Sequence, residues 1–286
     1  YYDDGIKLLR FKHVLGQMDL VVATALLQLG DRNVAPEVYR AVRDEFHVPV
    51  IMCWGESAPD VVSWADRYAP YVTANVFFDT AKHWKQFTKY PEKCYWLPEP
   101  KDPNIFNADV VDWSKRSISV SFVGTLLGRW DRAFNLAYCW ANGLNVERLG
   151  GLDGGGKAIH EYASYMQLSK ITLNFTSAVT FQHINGRTSE ATLCGALLME
   201  SEGADTSKLL EPYVHYVPFI EPFHINESTG QLEAQKGDLV EKLRYYMGPG
   251  AEEGRQIAER GQKRAMELFD GKMFWKGMFD LAGLKW

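Results

Sequence analysis

The chain has 286 residues, 46% of them hydrophobic and 23% charged, an ordinary globular balance with length enough for two domains. A formal net charge of -5 argues against a protein that grips DNA or anionic lipid over a broad face, which takes clustered Lys and Arg, so there is no strong nucleic-acid signal. No apolar run approaches the about 20 residues of a transmembrane segment, and the first residues do not read as a signal peptide.

Cys53, Cys94, Cys139 and Cys194 are scattered, with no CxxC pair and no metal-ligand spacing. They are expected to be reduced core thiols of a cytoplasmic protein, with no structural metal.

In chain order, Tyr1 to Gly16 predicts a helix, and the apolar run Met18 to Ala23 predicts a buried strand. Pro36 sits where a first helical turn tolerates proline, with Val38, Val42 and Phe46 marking one apolar face. A strand Val48 to Trp54, a helix Ala58 to Tyr68, a strand Tyr71 to Phe78, a helix Thr80 to Phe87 and a strand through KCYWLP follow. That alternation predicts a parallel sheet covered on both faces. From Pro98 to Asn107 the chain is polar and proline-rich, which reads as the start of an interdomain linker.

A second alternation begins at Ser117 to Gly124. It continues through a helix near Arg132 to Asn142, the strand LNVERLG, a helix around Ile159 to Leu168 and a strand Lys170 to Phe175. Next come a polar loop Thr176 to Arg187, a short helix holding Glu190 and a strand Ala196 to Met199. Val214 to Phe219 closes the sheet, Ile220 to Lys236 reads as an inserted loop, and helices follow from Gly237. The fold class is therefore α/β, with two tandem Rossmann-like domains. The expected boundaries are 1-112 for the first domain, 113-269 for the second and 270-286 for a terminal helix with Phe274, Trp275 and Phe279 buried.

In such a sheet, ligands collect in the crevice at the carboxyl ends of the strands, where a helix N-terminus offers unpaired N–H groups to phosphate. Asn185, Gly186 and Arg187 lie just before the helix of Glu190, and their amides together with the Arg187 side chain are placed to hold a phosphate. Glu56 follows the strand Val48 to Trp54 and is a candidate cleft carboxylate or general base; a helix N-terminal carboxylate is the equal alternative. The glycine-rich Gly150 to Gly156 is not GxGxxG, and no DxD triad is present.

The segments SKITLNFT, NGRTSEATLCGALLMES and YVHYVPF resemble the donor-binding half of GT-B glycosyltransferases, in the family 1/4-like group that includes CgeB-type glycosyl transferases. The resemblance implies that the second domain binds a nucleoside diphosphate sugar, UDP- or GDP-linked, as donor substrate, with no other cofactor and no metal. It implies that the first domain, short beside its relatives, faces the acceptor, an unknown glycan, lipid-linked or other hydroxyl compound. The terminal helix is implied to cross back and brace that domain. Glu190, in the text EATLCG, matches the glutamate that receives both ribose hydroxyls, for which an ionised carboxylate is suited as a pure acceptor. The helix-dipole role of any first-turn glutamate is the alternative. Arg132 matches the arginine after the FVG strand that neutralises the departing diphosphate, with Arg129 a second candidate. Retaining relatives carry a further glutamate eight positions before the ribose glutamate, where this chain has Gln182; with His183 it is a candidate to serve the transferred sugar. The activity implied is sugar transfer to a hydroxyl. A noncatalytic nucleotide-sugar-binding or assembly protein is the alternative, and an NAD-dependent oxidoreductase is weakened by the absent dinucleotide fingerprint.

Overall fold

The structure, a computed structural model, describes residues 18–24, 33–55, 58–79, 84–107, 111–150, 158–175, 184–203, 205–226 and 228–286. The helix expected over Tyr1 to Gly16, the start of the one expected from Thr80 and most of the glycine-rich loop lie outside the described residues. The chain divides into two compact units, Tyr1–Glu99 with Gly271–Trp286, and Pro100–Asp270.

The first unit is built on a parallel sheet of β1 (Val21–Thr24), β2 (Val50–Trp54), β3 (Ala74–Phe77) and β4 (Cys94–Trp96), hydrogen-bonded in that order. Every residue of β2 and β3 is buried, as expected of parallel strands covered on both faces. Helix α1 (Pro36–Phe46) starts on its proline and stops where His47 turns left-handed at φ 56°; α2 (Pro59–Tyr68) also begins on proline. On one face Trp54 stacks on Phe77, and Phe77 on Trp84, while Trp54 Nε1 donates to the buried Asn75 at 2.9 Å. On the other lies the terminal helix, whose Phe274 and Met278 pack against Ile51, Cys53, Ala74 and Val76. The helical spacing that turns 274 and 278 inward turns Trp275 outward, 42% exposed, so Trp275 is not the core residue the sequence suggested.

The second unit holds a five-stranded, all-parallel sheet. In chain order its elements are β5 (Ile118–Val123), α3 (Trp130–Ala141), β6 (Glu147–Leu149), α4 (Ile159–Gln167), β7 (Ser169–Asn174), α5 (Gly186–Leu193), β8 (Leu197–Ser201) and β9 (Val217–Phe219). Then come a hairpin of β10 (Phe223–Ile225) and β11 (Leu232–Ala234), helices α6 (Leu239–Met247) and α7 (Ala251–Leu268), and the first-unit helix α8 (Gly271–Ala282). The sheet order β6-β5-β7-β8-β9 reverses between β5 and β7, which makes the crevice beyond their carboxyl ends the topological switch point.

Three differences from the sequence expectations have physical causes. Residues 100–107 join the second unit, because Phe106 is buried among Ala163, Met166, Ala191 and Leu193 and Gln167 donates to the Ile105 carbonyl at 2.9 Å. The expected inserted loop is largely the β10–β11 hairpin, clipped to α3 by Asn135, which exchanges two hydrogen bonds with the backbone of Phe223 at 2.8 and 3.0 Å. Gly186 and Arg187 are already helical, since Asn185 caps α5 by accepting from Arg187 N at 3.0 Å. All four cysteines are buried and free. Among the described residues no helix is long and apolar enough to cross a membrane.

Candidate functional site

The second unit gathers charge at its switch point. Strand β5 ends at Val123, Gly124 follows, and α3 then brings Arg132 back to the Thr125 and Phe175 carbonyls at the end of the sheet. Arg132 is buried, donating from Nη1 to the Thr125 carbonyl at 3.3 Å and from Nη2 to the Phe175 carbonyl at 3.0 Å, with Nε sealed from solvent and unmatched. From α5, Arg187 brings a second guanidinium to the same ring. Its centre lies 5.3 Å from the Phe122 centroid, against 6.0 Å for Arg132, and its Nη1 is also sealed and unmatched among the described residues. Gly124, at φ 152°, makes room: a Cβ there would stand 2.9 Å from Arg187 Nη1.

Two cations this close, Arg132 buried and Arg187 half-buried with its Nη1 sealed, oppose each other. Burial, then the charges of Arg187 and Arg129, push Arg132 down to about 9, and burial is likewise the main cause that lowers Arg187. Arg129 is engaged by Asp131 through Nε at 3.1 Å and Nη2 at 2.7 Å, a paired cation more exposed than Arg132. Converging guanidiniums suit an anion with several oxygens.

One turn along α5, Glu190 is held at both oxygens. Lys101 Nζ donates to Oε1 at 2.9 Å and Tyr162 Oη, from α4, donates to Oε2 at 2.6 Å. Burial, followed by the Glu190 charge, raises the Tyr162 phenol above its ordinary range, so it remains a donor. Gly186 lies beneath: a Cβ there would meet Glu190 Oε1 at 2.9 Å and Lys101 Nζ at 3.2 Å.

A buried polar network anchors α5 from below. The β7–β8 register places Asn174 beside Glu200, and Asn174 Nδ2 donates to Glu200 Oε1 at 2.6 Å while Thr188 donates to the same oxygen at 2.9 Å. Asn185 Nδ2 donates to Asn174 Oδ1 at 2.9 Å, linking the helix cap to the strand ends. Burial pushes the Glu200 carboxyl up to about 7 against the pull of Thr206, Thr188, Asn174 and Arg187; Oε2 and the Thr206 hydroxyl, both buried, make no well-directed hydrogen bond. Beyond it Ser201 donates to Glu221, which also accepts from Asn135 at 2.9 Å.

Of the residues singled out from sequence, the structure therefore brings Arg129, Arg132, Asn185, Gly186, Arg187 and Glu190 to one end of the second sheet. Glu56, Gln182 and His183 lie outside the described residues. Sequence reasoning missed Lys101, Tyr162, Asn174 and Glu200. Only Asn174 and Glu200 left a trace, a polar residue at or near the end of each of two neighbouring apolar strands.

Residues 110–270, more than half of the chain, match the family described as glycosyl transferase-like. The chain belongs to that family. Its function is glycosyl transfer. No curated protein matches the sequence of this glycosyltransferase. Among solved structures it is similar to Anabaena HepE in complex with UDP and glucose, at 13% identity and TM-score 0.63 over 96% of this chain and 80% of that one. It is similar also to a Rickettsia africae glycosyltransferase, at 8% identity and TM-score 0.60 over 99% and 82% of the two chains. Sucrose-phosphate synthase from Thermosynechococcus elongatus aligns at 10% identity and TM-score 0.60 over 96% and 76%. At such identities the likeness is one of fold, and that fold is GT-B, with two Rossmann-like domains.

Proposed function

We propose that the second unit of this glycosyltransferase binds a uridine diphosphate hexose, with the diphosphate against Arg132 and Arg187 and the ribose hydroxyls on Glu190. The observation that carries this is the convergence of two guanidiniums, Arg132 and Arg187, on the Phe122 ring at the switch point. Such donors, fixed before the leaving group departs, stabilise charge that grows on the diphosphate as the glycosidic bond breaks. The Arg187 amide is committed to the Asn185 cap, so the contribution of this turn to phosphate comes from the Gly186 amide and the Arg187 side chain. Anabaena HepE is described with UDP and with UDP-glucose, which supports uridine as the base.

In this proposal the donor is a substrate and no cofactor is held. Two guanidiniums supply the positive charge that a divalent cation supplies elsewhere. The sugar passes to a hydroxyl of a glycan or lipid-linked acceptor, with Glu56, Gln182 and His183 as candidates to serve the acceptor and the transferred sugar. Four buried free thiols fit a reducing, cytoplasmic setting.

The test is a calorimetric titration with UDP, GDP, ADP and NAD, followed by UDP release from UDP-hexoses over an acceptor panel. Selective UDP binding that Arg132→Met and Arg187→Met each weaken at least tenfold is expected. Binding of NAD alone, or of no diphosphate, overturns the proposal; UDP-sugar binding without release across a wide acceptor panel favours a noncatalytic protein.

A further inference from the structure

Glu190 is not an open carboxylate waiting at a helix end. Two donors from separate parts of the second unit take one oxygen each, Lys101 from the segment after Glu99 and Tyr162 from α4. The side chains of Lys101 and Glu190 are only 9% and 12% exposed. Both donors are themselves fixed. The Lys101 amide donates to the Phe269 carbonyl at 3.3 Å, Phe106 of the same segment is buried, and its ring meets Tyr162 edge-on at 6.3 Å.

The position of Lys101 is unusual for a helix. Its ammonium lies 3.2 Å from where a Cβ of Gly186 would be, at the first residue of α5, although a cation is disfavoured at a helix N-terminus. Its place is explained by what it does to Glu190. An ionised carboxylate offers about four lone-pair sites. Among the described residues there is one donor on each oxygen, which fixes the carboxylate plane and leaves one acceptor site on each, the number a vicinal diol needs.

We propose that Lys101 and Tyr162 are positioning residues for the donor ribose, holding the Glu190 carboxylate so that its two remaining acceptor sites face the 2′- and 3′-hydroxyls. The proposal rests on Glu190 being the ribose ligand. Without Lys101 the carboxylate turns about its terminal bonds, and the gain from the diol falls although Glu190 is still present.

The experiment compares affinities of the full chain and of Lys101→Met, Lys101→Arg and Tyr162→Phe for UDP and for 2′,3′-dideoxy-UDP by calorimetry. Wild type should prefer UDP by about tenfold or more, the equivalent of one good hydrogen bond to a charged group. Lys101→Met and Tyr162→Phe should each bind UDP about five- to tenfold more weakly while changing dideoxy-UDP affinity by less than about twofold, and Lys101→Arg should keep part of the preference. Equal weakening of both ligands would mark Lys101 as a general phosphate attractor or a fold residue and overturn the inference. A wild-type preference that survives in Lys101→Met and Tyr162→Phe overturns it too. A wild type that binds both ligands equally removes the ribose role of Glu190 itself, and the positioning role with it.

Discussion

Arg187→Met separates a binding cation from a structural one. In the unliganded protein the guanidinium gains a cation–π contact with Phe122, worth about 1 to 2 kcal/mol when desolvated. Against this stands a sealed, unmatched Nη1, which costs about 1 to 3 kcal/mol. The like charge of Arg132 adds to the cost, since Arg187 is among the groups that push Arg132 down to about 9. Methionine fills a similar length with an apolar stem, so unfolding free energy in urea should change by less than about 1 kcal/mol. UDP should respond differently, because losing a charge-assisted bond to phosphate costs about 1.5 to 3 kcal/mol, or roughly 10- to 150-fold in affinity. At UDP concentrations 100 times the wild-type dissociation constant, the ligand should add about 2.7 kcal/mol to wild-type stability but only roughly 0.3 to 1.4 kcal/mol to the variant. Urea titrations of both proteins with and without UDP measure all four quantities. A variant that loses about 3 kcal/mol without ligand yet keeps the full UDP gain would show that Arg187 holds the fold and not the donor.

Gly186→Ala should force the Glu190 carboxylate away from Lys101, because the new Cβ would lie 2.9 Å from Oε1; alanine suits a helix, so the expected outcome is an unchanged melting temperature with UDP affinity about tenfold lower by calorimetry. Glu200 is raised to about 7 by burial, so the folded state binds its proton more tightly than the unfolded state does, and its contribution to stability falls as pH rises from the ordinary carboxylate value of 4.5 through about 7. Relative to wild type, Glu200→Gln should therefore gain stability between pH 4.5 and 8, by at most on the order of 3 kcal/mol, followed by urea unfolding across that range. On α8, Met278→Ala removes a fully buried side chain from between Ile51, Cys53, Ala74 and Val76 and should cost about 2 to 5 kcal/mol, while Trp275→Ala, on the exposed face of the same helix, should cost under about 0.5 kcal/mol in the same assay.

Sequence alone determined the α/β alternation, because apolar strands of four to six residues and amphipathic helices announce themselves by period and by the prolines that begin α1 and α2. It also set Asn185, Gly186, Arg187 and Glu190 together in one stretch of text, although the loop it read through Arg187 ends at the Asn185 cap. Those are local signals, carried by neighbours in the chain. The tertiary structure alone decided which distant residues complete the site. Lys101 reaches Glu190 across 89 positions and Tyr162 across 28, pairings that depend on the order in which strands are laid side by side. The same applies to Asn174 and Glu200, ordinary polar residues in the text until the β7–β8 register sets them together in a dry interior. Periodicity gives the face a side chain takes, but only strand order and burial give its partner and its charge.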